Sequence, residues 1–510
     1  MKKKDESGCS IFAFTAIFTF FVLIFNNLYT WGKILKFAEI ENIADAILPI
    51  TIFIGVYLLL FIFFTLIFYK ITVKILSILI IFICGLCSYF ISTYGIVIDR
   101  FMIANVFSTD FNEVIGLFSW KMIVYFVFLI FIPIIVITRV KVKSISISLR
   151  IRILLLALFL ALVVILPNYV KLAAFFRKHN SLGGYFVPSN FISSSITYAK
   201  YIFKSKAKPI LIDDAVITKN NDVLIVLVVG ETARKKNFSL YGYSRKTNPL
   251  LEKEKITSLN ATSCGTSTNV SVPCIFSPSA KSDFDHLKYE NMISMLKRLN
   301  VKISWLENNF GGCYGLCDDV EKQYFNGSPD GIMLESFEGK LKNLSVYEDI
   351  IVLHQNGSHG PLYFQRYTEN FNHFKPSCNR ADVSKCKSQE LFNAYDNTIL
   401  YTDFFLHTII SKLKGVKKPV IMIYASDHGE SLGEYGLFLH GFPYNLAPKE
   451  QKEIPFIIWA NDSFEKKYYN LSKIDKNSQY SHDNIFHTTL GILNVKTKYY
   501  DKNLDIFKKN

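Results

Sequence analysis

Two hydrophobic runs in this sequence end in residue types that bind metal. In "VLIVLVVGETARKK" Glu231 follows seven hydrophobic residues and a glycine, and in "KPVIMIYASDHGES" Asp427 and His428 follow a second such run. Carboxylate oxygen and imidazole nitrogen together suit a zinc ion. A helix cap or a turn would explain either end by itself. Two matching ends, joined by His359 in "NGSHGP" and His440 in "FLHG", point instead to one metal-centred site. Zinc alone can serve structure, so catalysis needs a nucleophile as well. The loop "ATSCGTSTNVSVPC", residues 261–274, offers hydroxyls around Gly265 and a cysteine at each end. A metal activates such hydroxyls and neutralises phosphoryl charge. Residue types nominate this loop without choosing among Thr262, Ser263, Thr266, Ser267 and Thr268.

These residues need a frame that brings strand ends together. From residue 222 onward, runs of strand length ("DVLIVLVVG", "VKISWLEN", "EDIIVLHQ", "KPVIMIYAS", "EIPFIIWA") alternate with helical patterns such as 391–414. This alternation predicts an α/β domain with a mostly parallel, doubly wound sheet. Ligands of such sheets lie beyond the carboxyl ends of the strands, where Glu231, Asp427 and His428 fall. No internal repeat or low-complexity segment is present.

The first third of the chain is different. Residues 11–26, 46–69, 75–92, 122–138 and 153–173 are nearly free of charge, and each approaches the roughly 20 residues that cross a bilayer. Five transmembrane helices are expected over residues 1–173, then a linker with a membrane-surface helix over 174–215, then a catalytic domain over 216–510. The first segment is expected to be a retained membrane anchor and not a signal peptide, because "NNLYTWGK" follows it in place of a small-residue cleavage site and four more hydrophobic segments come after. Lys2 to Lys4, then Lys70 and Lys74, then Arg139, Lys141, Lys143, Arg150 and Arg152 mark the cytoplasmic ends. An odd number of crossings puts the large C-terminal part outside the cytoplasm.

Cysteine usage agrees with that placement. Cys9, Cys84 and Cys87 belong to the membrane part, while Cys264 with Cys274, Cys313 with Cys317, and Cys378 with Cys386 form close couples. Six cysteines formally allow fifteen pairings; three short-loop disulfides suit an oxidising compartment. The net charge of +15 sits largely in cytoplasmic loops and solvated lysines. An extracytoplasmic domain rarely meets nucleic acid, so anionic lipid or lipopolysaccharide is the better partner for it.

The strings "VVGETARKKNFSLYGYSRKTNP", "SCGTSTNVSVPC", "HQNGSHGP", "YDNTILYTD" and "SDHGESLGEYGLFLHG" resemble, in this order, the bacterial phosphoethanolamine transferases that modify lipid A, the family of the polymyxin-resistance enzymes. The resemblance implies an inner-membrane enzyme with an alkaline-phosphatase-like periplasmic domain, one zinc or two, and a threonine nucleophile. Carried over, it makes Thr266 in "CGT" the nucleophile and a zinc ligand beside Glu231, Asp427 and His428. It places His359 and His440 near the substrate phosphate or a further zinc, with either able to donate the proton to the leaving alkoxide, and gives Asn309 in "LENNFGGCYGLCDD" a substrate contact. Glu113 in "NVFSTDFNEVIGLFSW" matches an acidic residue that meets the donor amine. Tyr314 stands where many relatives have lysine, which leaves acceptor preference open.

The implied reaction takes phosphoethanolamine from phosphatidylethanolamine onto the threonine and then onto lipid A or another lipopolysaccharide or periplasmic acceptor. Resistance to cationic antimicrobial peptides would follow. A monomer is expected, with membrane and lipid partners and no nucleic acid. A glycerolphosphate transferase of the same superfamily and a non-catalytic membrane binding protein are the alternatives. A sulfatase would need Cys-x-Pro-x-Arg, and "CGTST" lacks both proline and arginine.

Overall fold

The computed structural model describes residues 8–41, 45–108, 118–205, 209–219, 221–279, 288–309, 311–325, 329–347, 349–380 and 382–507. The chain divides into two compact units. One comprises Met1–Ile103 and Ser119–Thr197, the other Ala104–Phe118 and Tyr198–Asn510.

The first unit is helical. Four helices are long and apolar enough to cross a membrane: Ile47–Ile67, Val73–Tyr94, Trp120–Arg139 and Ile147–Lys178. The first hydrophobic segment forms two helices, Ile11–Phe25 and Leu28–Ala38, bent by 65°, so the described residues hold four spans, or five if that pair is one. Asn27 sits at the break. Its amide donates to the carbonyls of Val22 (2.9 Å) and Val187 (3.0 Å), and its Oδ1 accepts from the Val187 amide (2.9 Å). A broken helix must satisfy its freed backbone groups, and this side chain meets the Val22 carbonyl. Arg150, nearly buried, donates to the carbonyls of Thr65 (2.9 Å) and Phe68 (2.8 Å) at the end of helix Ile47–Ile67. The last carbonyls of a helix lack internal partners, and a cation suits the negative end of its dipole.

The second unit is built on an eight-stranded sheet. Its strands are β1 (Leu224–Gly230), β2 (Ile256–Thr262), β3 (Lys302–Glu307), β4 (Glu321–Tyr324), β5 (Asp349–His354), β6 (Val420–Ser426), β7 (Glu453–Ala460) and β8 (Gln479–Ser481), in spatial order β8-β2-β7-β6-β1-β5-β3-β4. From β6 to β4 every pairing is parallel; β7 runs antiparallel to both β6 and β2, and β8 is parallel to β2. All residues of β1, β5 and β6 are buried, as parallel strands covered on both faces require.

Three strands lie outside the five hydrophobic runs seen in the sequence. β4, "EKQY", is exposed at every position, an edge strand without apolar alternation. β2 mixes "ITSLNAT", and β8 is three residues long. Helix Ser388–Leu413 occupies the stretch with helical periodicity. Disulfides join Cys264 to Cys274, Cys313 to Cys317 and Cys378 to Cys386, leaving Cys9, Cys84 and Cys87 as thiols.

Candidate active site

The register of the sheet assembles the acidic cluster. β1 and β6 are parallel neighbours with Gly230 opposite Ser426, so the next residues, Glu231 and Asp427, emerge side by side. The Thr232 amide donates to Asp427 Oδ1 (2.9 Å), and the Asp427 amide donates to the Gly230 carbonyl (2.9 Å), locking the two turns together. His428 Nδ1 faces the Gly429 carbonyl at 2.9 Å, which leaves Nε2 as the free lone pair. That Nε2 lies 3.1 Å from Asp427 Oδ2 and 3.7 Å from Glu231 Oε1.

All three side chains are fully buried, and one ligand atom from each falls within 4.8 Å of the others. Asp427 Oδ2 is buried without a hydrogen bond. Two buried carboxylates facing an imidazole lone pair, one oxygen unsatisfied, are costly by themselves and fit a divalent cation. Among protein groups alone, burial and then the Asp427 charge push Glu231 up to about 7. Burial and then His440 push His428 down to about 3, so its imidazole is neutral, the form that binds metal.

Two hydroxyls reach this cluster: that of Thr232, which donates to Glu231 Oε1, and, from the 261–274 loop, that of Thr268. Its Oγ1 lies 3.2 and 3.3 Å from the Glu231 carboxylate oxygens and 3.3 Å from His428 Nε2. Thr268 is the first residue of helix Thr268–Ile275, whose N-terminal dipole favours negative charge there, and the Cys264–Cys274 bridge ties the loop to the helix. Thr266, the nucleophile implied by the resemblance, is elsewhere: its Oγ1 donates to the Phe442 carbonyl (2.6 Å). Two residues beyond the "CGT" threonine, Thr268 is the loop hydroxyl that reaches Glu231.

Asn309 donates from Nδ2 to Glu231 Oε2 (2.8 Å) and to the Gln355 carbonyl (3.1 Å), so it touches a cluster carboxylate directly. The rings of His428 and His440 are 4.4 Å apart and those of His440 and His359 5.2 Å, which brings both expected histidines to the cluster. His440 Nδ1 is 3.0 Å from Glu430 Oε2, and Glu430 Oε1 accepts from the Tyr363 hydroxyl (2.6 Å). Burial depresses His440, but among protein groups alone the Glu430 charge and hydrogen bond, with the Glu231 and Asp427 charges, outweigh it and raise it to about 9. Burial, then His440, hold His359 well below its ordinary value. One imidazole is thus cationic and the other neutral. Glu113 lies outside the described residues.

Sequence reasoning missed Glu430 and Tyr363, and also a buried pair on the neighbouring strands, His354 with Glu307 (Nδ1 to Oε2, 3.0 Å), braced by Trp305 Nε1 (2.9 Å). Glu430 was legible as the acid two positions after His428 in "DHGE". Nothing in the sequence pairs residue 307 with 354, since their contact comes from the β3–β5 register.

Two family models match the chain: Phosphoethanolamine transferase EptA/EptB over residues 56–202 and Sulfatase over residues 224–495. Phosphoethanolamine transferase EptA of Escherichia coli strain K12 is 32% identical over 531 residues, covering 98% of this chain and 97% of the relative. Phosphatidylethanolamine transferase Mcr-1 of Escherichia coli is 35% identical over 463 residues, 84% of each chain. The solved structure of the integral membrane protein lipooligosaccharide phosphoethanolamine transferase A (EptA) from Neisseria meningitidis is similar with a TM-score of 0.92 and 31% identity, over 98% of this chain and 99% of that one.

Proposed function

Because this chain belongs to the EptA-type phosphoethanolamine transferase family, we propose that it moves phosphoethanolamine from phosphatidylethanolamine to lipid A, or to another lipopolysaccharide or periplasmic acceptor, through a phosphothreonine on Thr268. It is an integral protein of the inner membrane with its sheet domain in the periplasm, where lipid donor and acceptor are both at hand. The observation that carries the reading is the Thr268 hydroxyl, held against Glu231 and His428 at the start of a helix.

Glu231, Asp427, His428 and the Thr268 oxygen are the residues that would hold zinc. When bound, zinc supplies a Lewis acid that lowers the hydroxyl's pKa and offsets phosphoryl charge. Thr268 Oγ, its proton already lost to solvent, attacks phosphorus, the bond to the diacylglycerol oxygen breaks, and His440, oriented by Glu430, gives its proton to the leaving alkoxide; Thr268 is deprotonated again when the second half releases it. In the second half, an acceptor oxygen attacks the phosphothreonine, His440 takes the acceptor's proton, and Thr268 is released. Asn309 and the neutral His359 border the donor phosphate. Adding an ammonium to lipid A lowers its net negative charge and its attraction for cationic peptides, the route to resistance.

Mass spectrometry of full-length protein incubated with phosphatidylethanolamine tests this. Phosphoethanolamine on Thr268, absent from Thr268→Ala and from chelator-treated protein, is the expected result. An adduct that persists in Thr268→Ala would sink the assignment. A glycerolphosphate adduct formed from phosphatidylglycerol, with none from phosphatidylethanolamine, would reassign the donor.

A further inference from the structure

The segment that carries His440 has little structure of its own. After the two-residue ladder of Ser431–Leu432 with Phe438–Leu439, residues 440–443 form no strand or helix. Leu439 has φ +64° and Gly441 φ +84°, so a non-glycine residue next to His440 is held in the left-handed region. Such a conformation persists only when its surroundings impose it.

Two buried side chains do so. Gln451 donates to the Leu439 carbonyl (3.1 Å), and its Oε1 accepts from the Phe442 amide (3.1 Å). Thr266 accepts from the Gly441 amide on its own carbonyl (2.7 Å) and donates from Oγ1 to the Phe442 carbonyl (2.6 Å). Thr266 stands two residues before Thr268, and Gly441 and Phe442 directly follow His440. The two bonds therefore join the turn of the nucleophile to the segment of the acid.

We propose that Thr266 is a positioning residue that holds His440 in register with Thr268, so that proton delivery to the leaving oxygen and attack by Thr268 share one geometry. This rests on the reading of Thr268 as nucleophile and His440 as acid. With the hydroxyl gone, the Gly441 bond remains while the Phe442 carbonyl is released and His440 drifts; Thr268 stays at its cluster. The effect should follow the leaving group, because an oxygen that departs as a stable anion needs no proton.

The test compares Thr266→Val and Thr266→Ser with wild type in the full-length zinc-loaded enzyme. Turnover is measured on phosphatidylethanolamine and on the 4-nitrophenyl ester of phosphoethanolamine, with zinc content and adduct position checked for each variant. Valine is expected to slow the lipid donor about 10- to 100-fold, the loss typical of a small misplacement, and to leave the nitrophenyl ester within about 2-fold. Serine should restore the lipid reaction. An equal loss on both donors would reduce Thr266 to general structural support, and no loss on either would overturn the clamp; both leave the Thr268 reading intact. An adduct mapped to Thr266 and retained in Thr268→Val would instead overturn the reading beneath it.

Discussion

Replacing Glu231 by Gln should stabilise the metal-free protein above neutral pH while removing its metal. Glu231 is fully buried beside Asp427, and its carboxyl is raised from an ordinary 4.5 to about 7. Below pH 4.5 the folded and unfolded chains both keep this proton. Between 4.5 and 7 the unfolded chain releases it and the folded chain does not, so stability falls as pH rises. At about 1.4 kcal/mol per pH unit, the full loss is about 3–4 kcal/mol, reached above pH 7. Glutamine has the same shape and no proton to lose, so this part of the decline should vanish. Thermal unfolding of chelated, detergent-solubilised wild type and Glu231→Gln can be followed by the fluorescence of the buried Trp305 and Trp459. The melting temperatures should agree at pH 4 and differ by roughly 5–10 °C in favour of the variant at pH 8. Added zinc should raise only wild type, and more so at higher pH, because binding requires the carboxylate. A variant that melts at or below chelated wild type at pH 8 would refute the reasoning.

Glu430→Gln removes the charge that holds His440 at about 9, so the alkaline limb of the kcat profile should move to lower pH; an unmoved limb would separate His440 from the leaving group. Replacing Cys264 and Cys274 together by Ser opens a loop with a sequence separation of 10 and should cost about 2–3 kcal/mol, read by denaturant unfolding, with adduct formation slower than melting alone explains. Arg150→Ala leaves the Thr65 and Phe68 carbonyls unmet at the end of helix Ile47–Ile67, a loss of about 2–4 kcal/mol visible as a lower melting temperature in detergent. Arg150→Lys should recover only part of it, since ammonium cannot reach both carbonyls as the guanidinium fork does.

Much of the frame was legible in the chain itself. Apolar runs long enough for a bilayer and lysine clusters at alternate ends are local features, and so are strand-length runs such as "LIVLVVG" and "VIMIYAS". Each is written in consecutive residues. The edge strand "EKQY" escaped notice because an exposed edge needs no apolar face. The bend after Phe25 was hidden because it depends on Asn27 reaching Val187, 160 residues away.

The site divides along the same line. The clustering of Glu231, Asp427 and His428 could be read from the sequence because a polar group at a strand end carries its signal beside it, in the run that precedes it. Five hydroxyls in one loop share the same neighbours, and nothing local separates Thr266 from Thr268. That choice is made by groups far along the chain: the Phe442 carbonyl, 176 residues away, takes the Thr266 hydroxyl, and Glu231 with His428 receives that of Thr268. Sequence determined which residue types were available and which ends of which strands would carry them. Only the tertiary structure decided which loop hydroxyl faces Glu231 and His428, because a side chain's direction is set by the partners that folding brings to it.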